Sequence, residues 1–223
     1  MVSRLKHKLS FLLERWNNTI LPCKPYVQMK MINNPVLNAL QQRNSTPKLV
    51  LPSPTKLELD EVFKAALRAP DHASLRPWRY IVIEGEKRDD LGAMLLSAKE
   101  SAMLEQGENL DDEQAQKLLA KPLRAPMIIV PVLHYQRHAK VPEVEQLLSL
   151  GAACQNILLA LESLGFAAMW RTGLLAFSEQ VHQGLALAEN EKVMGFIYVG
   201  SRDSNAKTKA IPRHDVAEFV RYL

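Results

Sequence analysis

The sequence predicts an α+β fold, a mostly antiparallel sheet flanked by helices. Short β-branched runs and longer amphipathic stretches follow one another without the strict strand–helix–strand alternation of a doubly wound parallel sheet. Between Val144 and Leu164 the apolar positions Val144, Leu147, Leu148, Ala152, Ile157, Leu158 and Leu161 wrap most of a helix, with Ala153 and Cys154 on its other faces. Such a helix belongs at the centre of a domain. The chain has 223 residues, 47% of them hydrophobic and 23% charged, which suits one large domain with a sizeable core.

The first segment, 1–30, reads as a helical extension, and 31–223 as the domain proper. In the extension Leu5, Leu9, Leu12, Leu13 and Trp16 recur at helical spacing among basic residues, without the apolar core or small-residue cleavage site of a signal peptide. This helix packs on the body or on a partner chain, the alternative being a membrane surface. A short helix from Pro35 to Gln42 runs into Arg43-Asn44-Ser45, and Pro47, Pro52 and Pro54 then impose an extended loop. Thr55 to Glu58 has the spacing of a capping box and opens a helix with the stripe Leu59, Val62, Phe63, Ala66 and Leu67, stopped by Pro70.

After a turn from Asp71 to Pro77, Arg79 to Ile83 is a β-branched strand. A helical hairpin follows, its first arm from Arg88 to Leu104 with Leu91, Met94, Leu95 and Ala98 on one face, its second from Glu113 to Lys121. Met127 to Leu133 is a second strand, and Pro131 within it calls for a sheet edge or a bulge. Beyond the central helix, closed by Gly165, come a strand from Phe166 to Trp170, a helix from Ser178 to Ala188, and a strand from Val193 to Val199 closed by Gly200.

Several function classes find no support. The two cysteines, Cys23 and Cys154, form neither a disulfide framework nor a zinc site, and read as free thiols in a reducing cytoplasm. The six histidines lack metal-ligand spacing, so no metal site is expected. No G-x-G-x-x-G, P-loop, G-x-S-x-G or H-E-x-x-H motif occurs. No run of consecutive apolar residues approaches the roughly 18–20 needed to span a bilayer. The net charge of +4 suits a phosphate-bearing partner, but the cationic residues form no single run and lack interleaved aromatics, which argues against nucleic acid.

Cationic and hydroxyl groups in turns remain: Arg43 and Ser45, Arg68 and His72, and Arg171 and Thr172 after Trp170. Phosphates are held by arginine forks, hydroxyls and backbone N–H groups, and loops are where ligand contacts concentrate. Four segments in order, Arg43-Asn44-Ser45, Arg68-Ala69-Pro70-Asp71-His72 followed by Pro77-Trp78, Gly165 to Gly173, and Gly195 to Gly200, resemble the nitroreductase family, in particular its compact bacterial NAD(P)H nitroreductases. The similarity runs from Pro35 to the C-terminus. It departs where the family often carries basic residues: Asn44 is neutral, and the position two beyond Ser45 is Pro47.

That resemblance implies a nitroreductase-like sandwich in an intertwined homodimer, with FMN in each of two grooves between the chains and NAD(P)H as electron donor. It further implies that Arg43, Asn44 and Ser45 hold the phosphate, that Arg68 and His72 approach the flavin from the other subunit, and that Trp170, Arg171 and Thr172 border the ring system. Lys207 and Lys209 are further phosphate candidates, and Ala160, Leu161, Glu162, Ser163, Leu164 and Gly165 a nicotinamide-contacting stretch. FMN would carry the chemistry, so no catalytic side chain is expected. The implied reaction passes hydride to an electron-poor small molecule, a nitroaromatic or quinone, by a ping-pong mechanism. The alternatives are a non-catalytic flavin- or nucleotide-binding module, a reductive dehalogenase and a flavin-cleaving relative.

Overall fold

The computed structural model describes residues 34–206 and 210–223. Its elements are α1 (Pro35–Gln42), β1 (Leu49–Val50), α2 (Lys56–Ala66), β2 (Trp78–Glu84), α3 (Lys87–Leu104), α4 (Asp112–Leu119), β3 (Met127–His134), α5 (Glu143–Ser163), β4 (Ala167–Arg171), α6 (Glu179–Gly184), β5 (Glu191–Val193) and β6 (Phe196–Arg202). The helix expected across Leu5 to Trp16, Cys23, and the phosphate candidates Lys207 and Lys209 lie outside the described residues.

Every strand pairing among the described residues is antiparallel, in the order β1-β6-β3-β2, with β4 also on β6 and β5 also on β3. β3 explains its own sequence. Met127, Ile129 and Leu133 face a layer containing α2 and α5, whereas Ile128, Val130 and Val132 face one containing α3 and α6. Covered on both sides, an antiparallel strand loses its polar alternation and reads as a continuous apolar run.

Local signals place the flanking helices. Thr55 and Glu58 form the capping box of α2, the Glu58 carboxylate accepting from the Thr55 N–H at 2.7 Å. Leu59, Val62 and Ala66 of its stripe are buried, but Leu67 lies past the last turn and is exposed. Asp111 caps α4 by accepting from Gln114 N–H at 2.7 Å. α6 is shorter than expected, because the chain leaves the helix at Leu185 and Ala186 takes a positive φ of 53°.

The sequence leaves Pro131 an edge or a bulge, and the structure has the bulge. Pro131 is at no edge: it stands opposite Tyr80 in the middle of the sheet. Its other side faces the break between β5 and β6, where its carbonyl accepts from Met194 N–H, so the missing donor falls at a bulge. The strand expected from Val193 to Val199 is likewise two strands around that break, and Gly200 does not close the second. A Cβ there would meet Pro126 at 2.8 Å and the Val50 carbonyl at 2.8 Å, so the glycine admits the close approach of β1 and the strand continues to Arg202.

A further correction concerns α5. Gln146, Leu150, Ala153, Cys154, Ile157 and Leu161 are buried, but Val144, Leu147 and Leu148 are exposed, Leu148 by 67%. By length and composition α5 is the one described helix that could cross a membrane. Its buried face packs instead on the core shared with α2, β3 and β4.

Candidate functional site

The first loop is fixed from two sides. Arg43 N–H still bonds back to the Ala39 carbonyl of α1, and Thr46 N–H donates to the Ala168 carbonyl of β4 at 3.1 Å. β1 then pairs with the end of β6, Leu49 opposite Arg202. This clamping forms a narrow crevice in which Arg43 and Asn44 face Glu162 at the end of α5, Ala167 and Ala168 of β4, and Arg202. Two separately expected groups, Arg43-Asn44 and the Ala160 to Gly165 stretch, thus meet through Glu162. Within that stretch Leu161 is fully buried. Beside the crevice, Thr46 is 2% exposed and its hydroxyl has no hydrogen-bond partner.

The second group lies elsewhere. Arg68 follows α2 with its side chain exposed, and His72 sits in a turn whose Nδ1 is 2.6 Å from a Glu145 carboxylate oxygen, in the first turn of α5. From Glu145 to Glu162 a helix advances about 25 Å at roughly 1.5 Å per residue. His72 and Arg43 therefore stand at opposite ends of α5 within one chain, with Arg68 following the end of α2, where the Ala65 carbonyl accepts from the Asn156 side chain at 3.1 Å.

Residues 71–77 hold their shape against local preference. Ala73, Ser74 and Arg76 have φ of 59°, 54° and 52°. The turn is tied by Arg76 N–H to the Asp71 carboxylate at 2.7 Å, and by the Gln136 side-chain amide to the Leu75 carbonyl. Behind it the buried Gln146 accepts from Gln136 N–H at 3.0 Å and donates to the Gln136 carbonyl at 2.7 Å. A left-handed L-residue costs about 1–2 kcal/mol, and strain of this kind collects at functional loops. Ala73→Gly is accordingly expected to raise stability by about 0.5–1 kcal/mol, the relief being partly offset by the freer unfolded chain. Thermal melting checks this; an unchanged or lowered midpoint would mean that no strain is held at Ala73.

The third group closes β4. Trp170 donates its indole N–H to the Met194 carbonyl at 3.1 Å, and the Arg171 guanidinium lies 5.6 Å from the Tyr198 ring centroid. Thr172 and Gly173 follow, exposed. Gly195 makes this packing possible, because a Cβ on it would lie 2.6 Å from the Arg171 carbonyl and 2.9 Å from the Trp170 indole nitrogen.

The Nitroreductase family model matches residues 40–201, a span that contains Arg43, the 71–77 turn and the end of β4, and stops one residue short of Arg202. The chain belongs to the nitroreductase family. Among curated nitroreductase relatives it is 37% identical over 190 residues to "Putative NAD(P)H nitroreductase YdjA" of Escherichia coli K12, covering 84% of this chain and 98% of that one. It is 30% identical over 171 residues to the NADPH-flavin oxidoreductase of Vibrio harveyi, covering 68% and 71%. The fold is shared with a nitroreductase-like protein from Bacillus cereus, at TM-score 0.70 and 21% identity over 85% of this chain and 96% of that one.

In this nitroreductase Glu145, Gln136 and Gln146 shape the loop around His72, and Arg202 shares the crevice of Arg43, yet sequence reasoning singled out none of the four. A glutamine repeated in a charged stretch carries no local signal of its burial. Cys154, expected as a free buried thiol, is one, and burial pushes its pKa up to about 12. It is no nucleophile at neutral pH. Among the described residues no group of His, Cys, Asp or Glu could hold a metal ion.

Proposed function

We propose that the protein is an FMN-dependent oxidoreductase that passes hydride from NAD(P)H to an electron-poor acceptor, a nitroaromatic or a quinone, and works as a homodimer. The division of its site residues between the two ends of α5 carries this reading, because one flavin reached by both groups needs two chains. The exposed apolar face of α5, with Val144 and Leu148 58% and 67% accessible, is the surface that such a pairing would cover.

The donor set suits the cofactor. Arg43, Asn44 and Ser45 offer a guanidinium, an amide and a hydroxyl to a phosphate, with the unsatisfied Thr46 hydroxyl beside them. When bound, FMN supplies the hydride-accepting centre. Arg68 and His72 reach that flavin from the other chain, Glu145 holding the His72 ring at its Nδ1 edge. Trp170 and Arg171 border the ring system, held by Met194 and Tyr198. Ala160 to Gly165, whose Leu161 is buried, is the stretch assigned to the nicotinamide, and Lys207 and Lys209 remain candidates for the phosphate. NADPH-flavin oxidoreductase is the name of the Vibrio harveyi relative, and a Mycobacterium smegmatis structure of TM-score 0.65 and 20% identity is described as an FMN-dependent nitroreductase in complex with NADPH.

Purified protein is expected to be yellow and to release FMN rather than FAD on denaturation. NADPH oxidation with menadione should give parallel double-reciprocal lines, because the sequence has no dinucleotide-binding G-x-G-x-x-G and the described residues form no separate dinucleotide fold, so that donor and acceptor must use one opening beside Trp170. Colourless protein that takes up no added FMN would overturn the reading. Intersecting lines would overturn the kinetic order alone, and binding without turnover would make the protein a flavin-binding module.

A further inference from the structure

We infer that Arg202 joins Arg43 in holding a phosphate monoester in the crevice between the end of α5 and the strands β1, β4 and β6. The inference rests on the flavin oxidoreductase reading and adds a residue to its site. Both arginines line the crevice, together with Asn44. Neither guanidinium has a hydrogen bond or ion pair with any described residue, and Glu162, the carboxylate on the facing wall, pairs with neither.

Two cations without a partner among the described residues share a crevice walled by Leu158, Phe166, Ala167 and Ala168 and by the single carboxylate of Glu162, and a bound dianion offsets their mutual repulsion. Their juxtaposition is built in by the backbone. Leu49 is opposite Arg202 in the β1–β6 ladder, Asp203 N–H donates to the Lys48 carbonyl, and Thr46 N–H donates to Ala168, so the loop that carries Arg43 cannot part from the strand end that carries Arg202. Successive side chains of a strand point to opposite faces. The Ser201 hydroxyl accordingly turns away to donate to the Pro52 carbonyl at 2.8 Å, leaving the crevice to Arg202. The pair also supplies the positive charge that the neutral Asn44 and Pro47 do not.

Two molecules in the proposed reaction end in a phosphate monoester: FMN at its 5′ end, and NADPH at its 2′ position. Riboflavin and NADH are the same molecules without it. Fluorescence titration of apoprotein should show Arg202→Ala weakening FMN binding about tenfold or more, the range of a charge-assisted contact, while riboflavin binding stays unchanged. Arg202→Lys should recover part of the loss, as a point charge without the fork. If FMN affinity is unmoved but the apparent affinity for NADPH falls and that for NADH does not, the monoester held is that of NADPH.

Equal weakening of FMN and riboflavin, or no change with any of the four ligands, overturns the assignment. Wild-type protein that binds FMN beside an indifferent Arg202→Ala removes this inference alone. Wild-type protein that binds neither FMN nor NADPH removes the flavin reading and this inference with it.

Discussion

Gly195→Ala is expected to lower the melting temperature by on the order of 10 °C and to strip the protein of flavin. Gly195 has φ of +109°, a conformation that side chains rarely adopt, and the new methyl group would be placed 2.6 Å from the Arg171 carbonyl and 2.8 Å from the Thr172 methyl group. The backbone strain costs about 1–3 kcal/mol. Overpacking against β4 adds about 1–3 kcal/mol more. A domain of this size loses roughly 2–4 °C per kcal/mol. The displaced residues are Trp170, Arg171 and Thr172, so flavin loss should exceed what the lower stability alone produces.

Gly107→Ala separates the two causes. It has a φ of +72° and nothing within 4 Å of the added Cβ, so it carries backbone strain without the clash. Differential scanning fluorimetry and the flavin absorbance of both variants check the contrast. Equal melting losses, or a Gly195→Ala protein that keeps its flavin, would show that the β4 end does not depend on this approach.

The parts of the fold legible in the sequence were those fixed by neighbours along the chain. The capping box at Thr55, the buried run of β3 and the glycine after α5 are short-range facts, and periodicity reports them. Pairings between distant residues left no such trace. Nothing local to Glu145 says that it meets His72, 73 positions away, and nothing local to Arg202 says that the β1 ladder delivers it beside Arg43. The break at Met194-Gly195 was missed for the same reason: its cause is the proline on the neighbouring strand and the indole that donates to Met194.

The candidate site divides similarly. Its cationic turn residues could be named from their types and from family resemblance, but not their arrangement about the two ends of α5. Apolar periodicity also cannot tell which side of a helix meets its own chain. Leu150 and Leu148 look alike in sequence, yet one is 1% exposed and the other 67%.

Leu148→Glu should convert the proposed dimer to monomer and release its flavin. On α5 the exposed Val144, Leu147 and Leu148 lie outside the buried face formed by Leu150, Cys154, Ile157 and Leu161. If this face meets a second copy, a carboxylate at Leu148 is buried without a partner, costing about 3–5 kcal/mol. In a two-fold interface each substitution occurs twice, so the dissociation constant should rise by at least about 10²- to 10³-fold. Leu104→Glu is the control: Leu104 is also exposed, by 75%, but ends α3 in the opposite helical layer, and its variant should remain a flavin-bearing dimer. Sedimentation velocity at micromolar protein, read at both protein and flavin wavelengths, tests mass and cofactor together. A Leu148→Glu protein that sediments as a yellow dimer would mean that the α5 face is not the interface. A yellow monomer would show that one chain suffices for the site, and that His72 and Arg43 do not serve one flavin from two subunits.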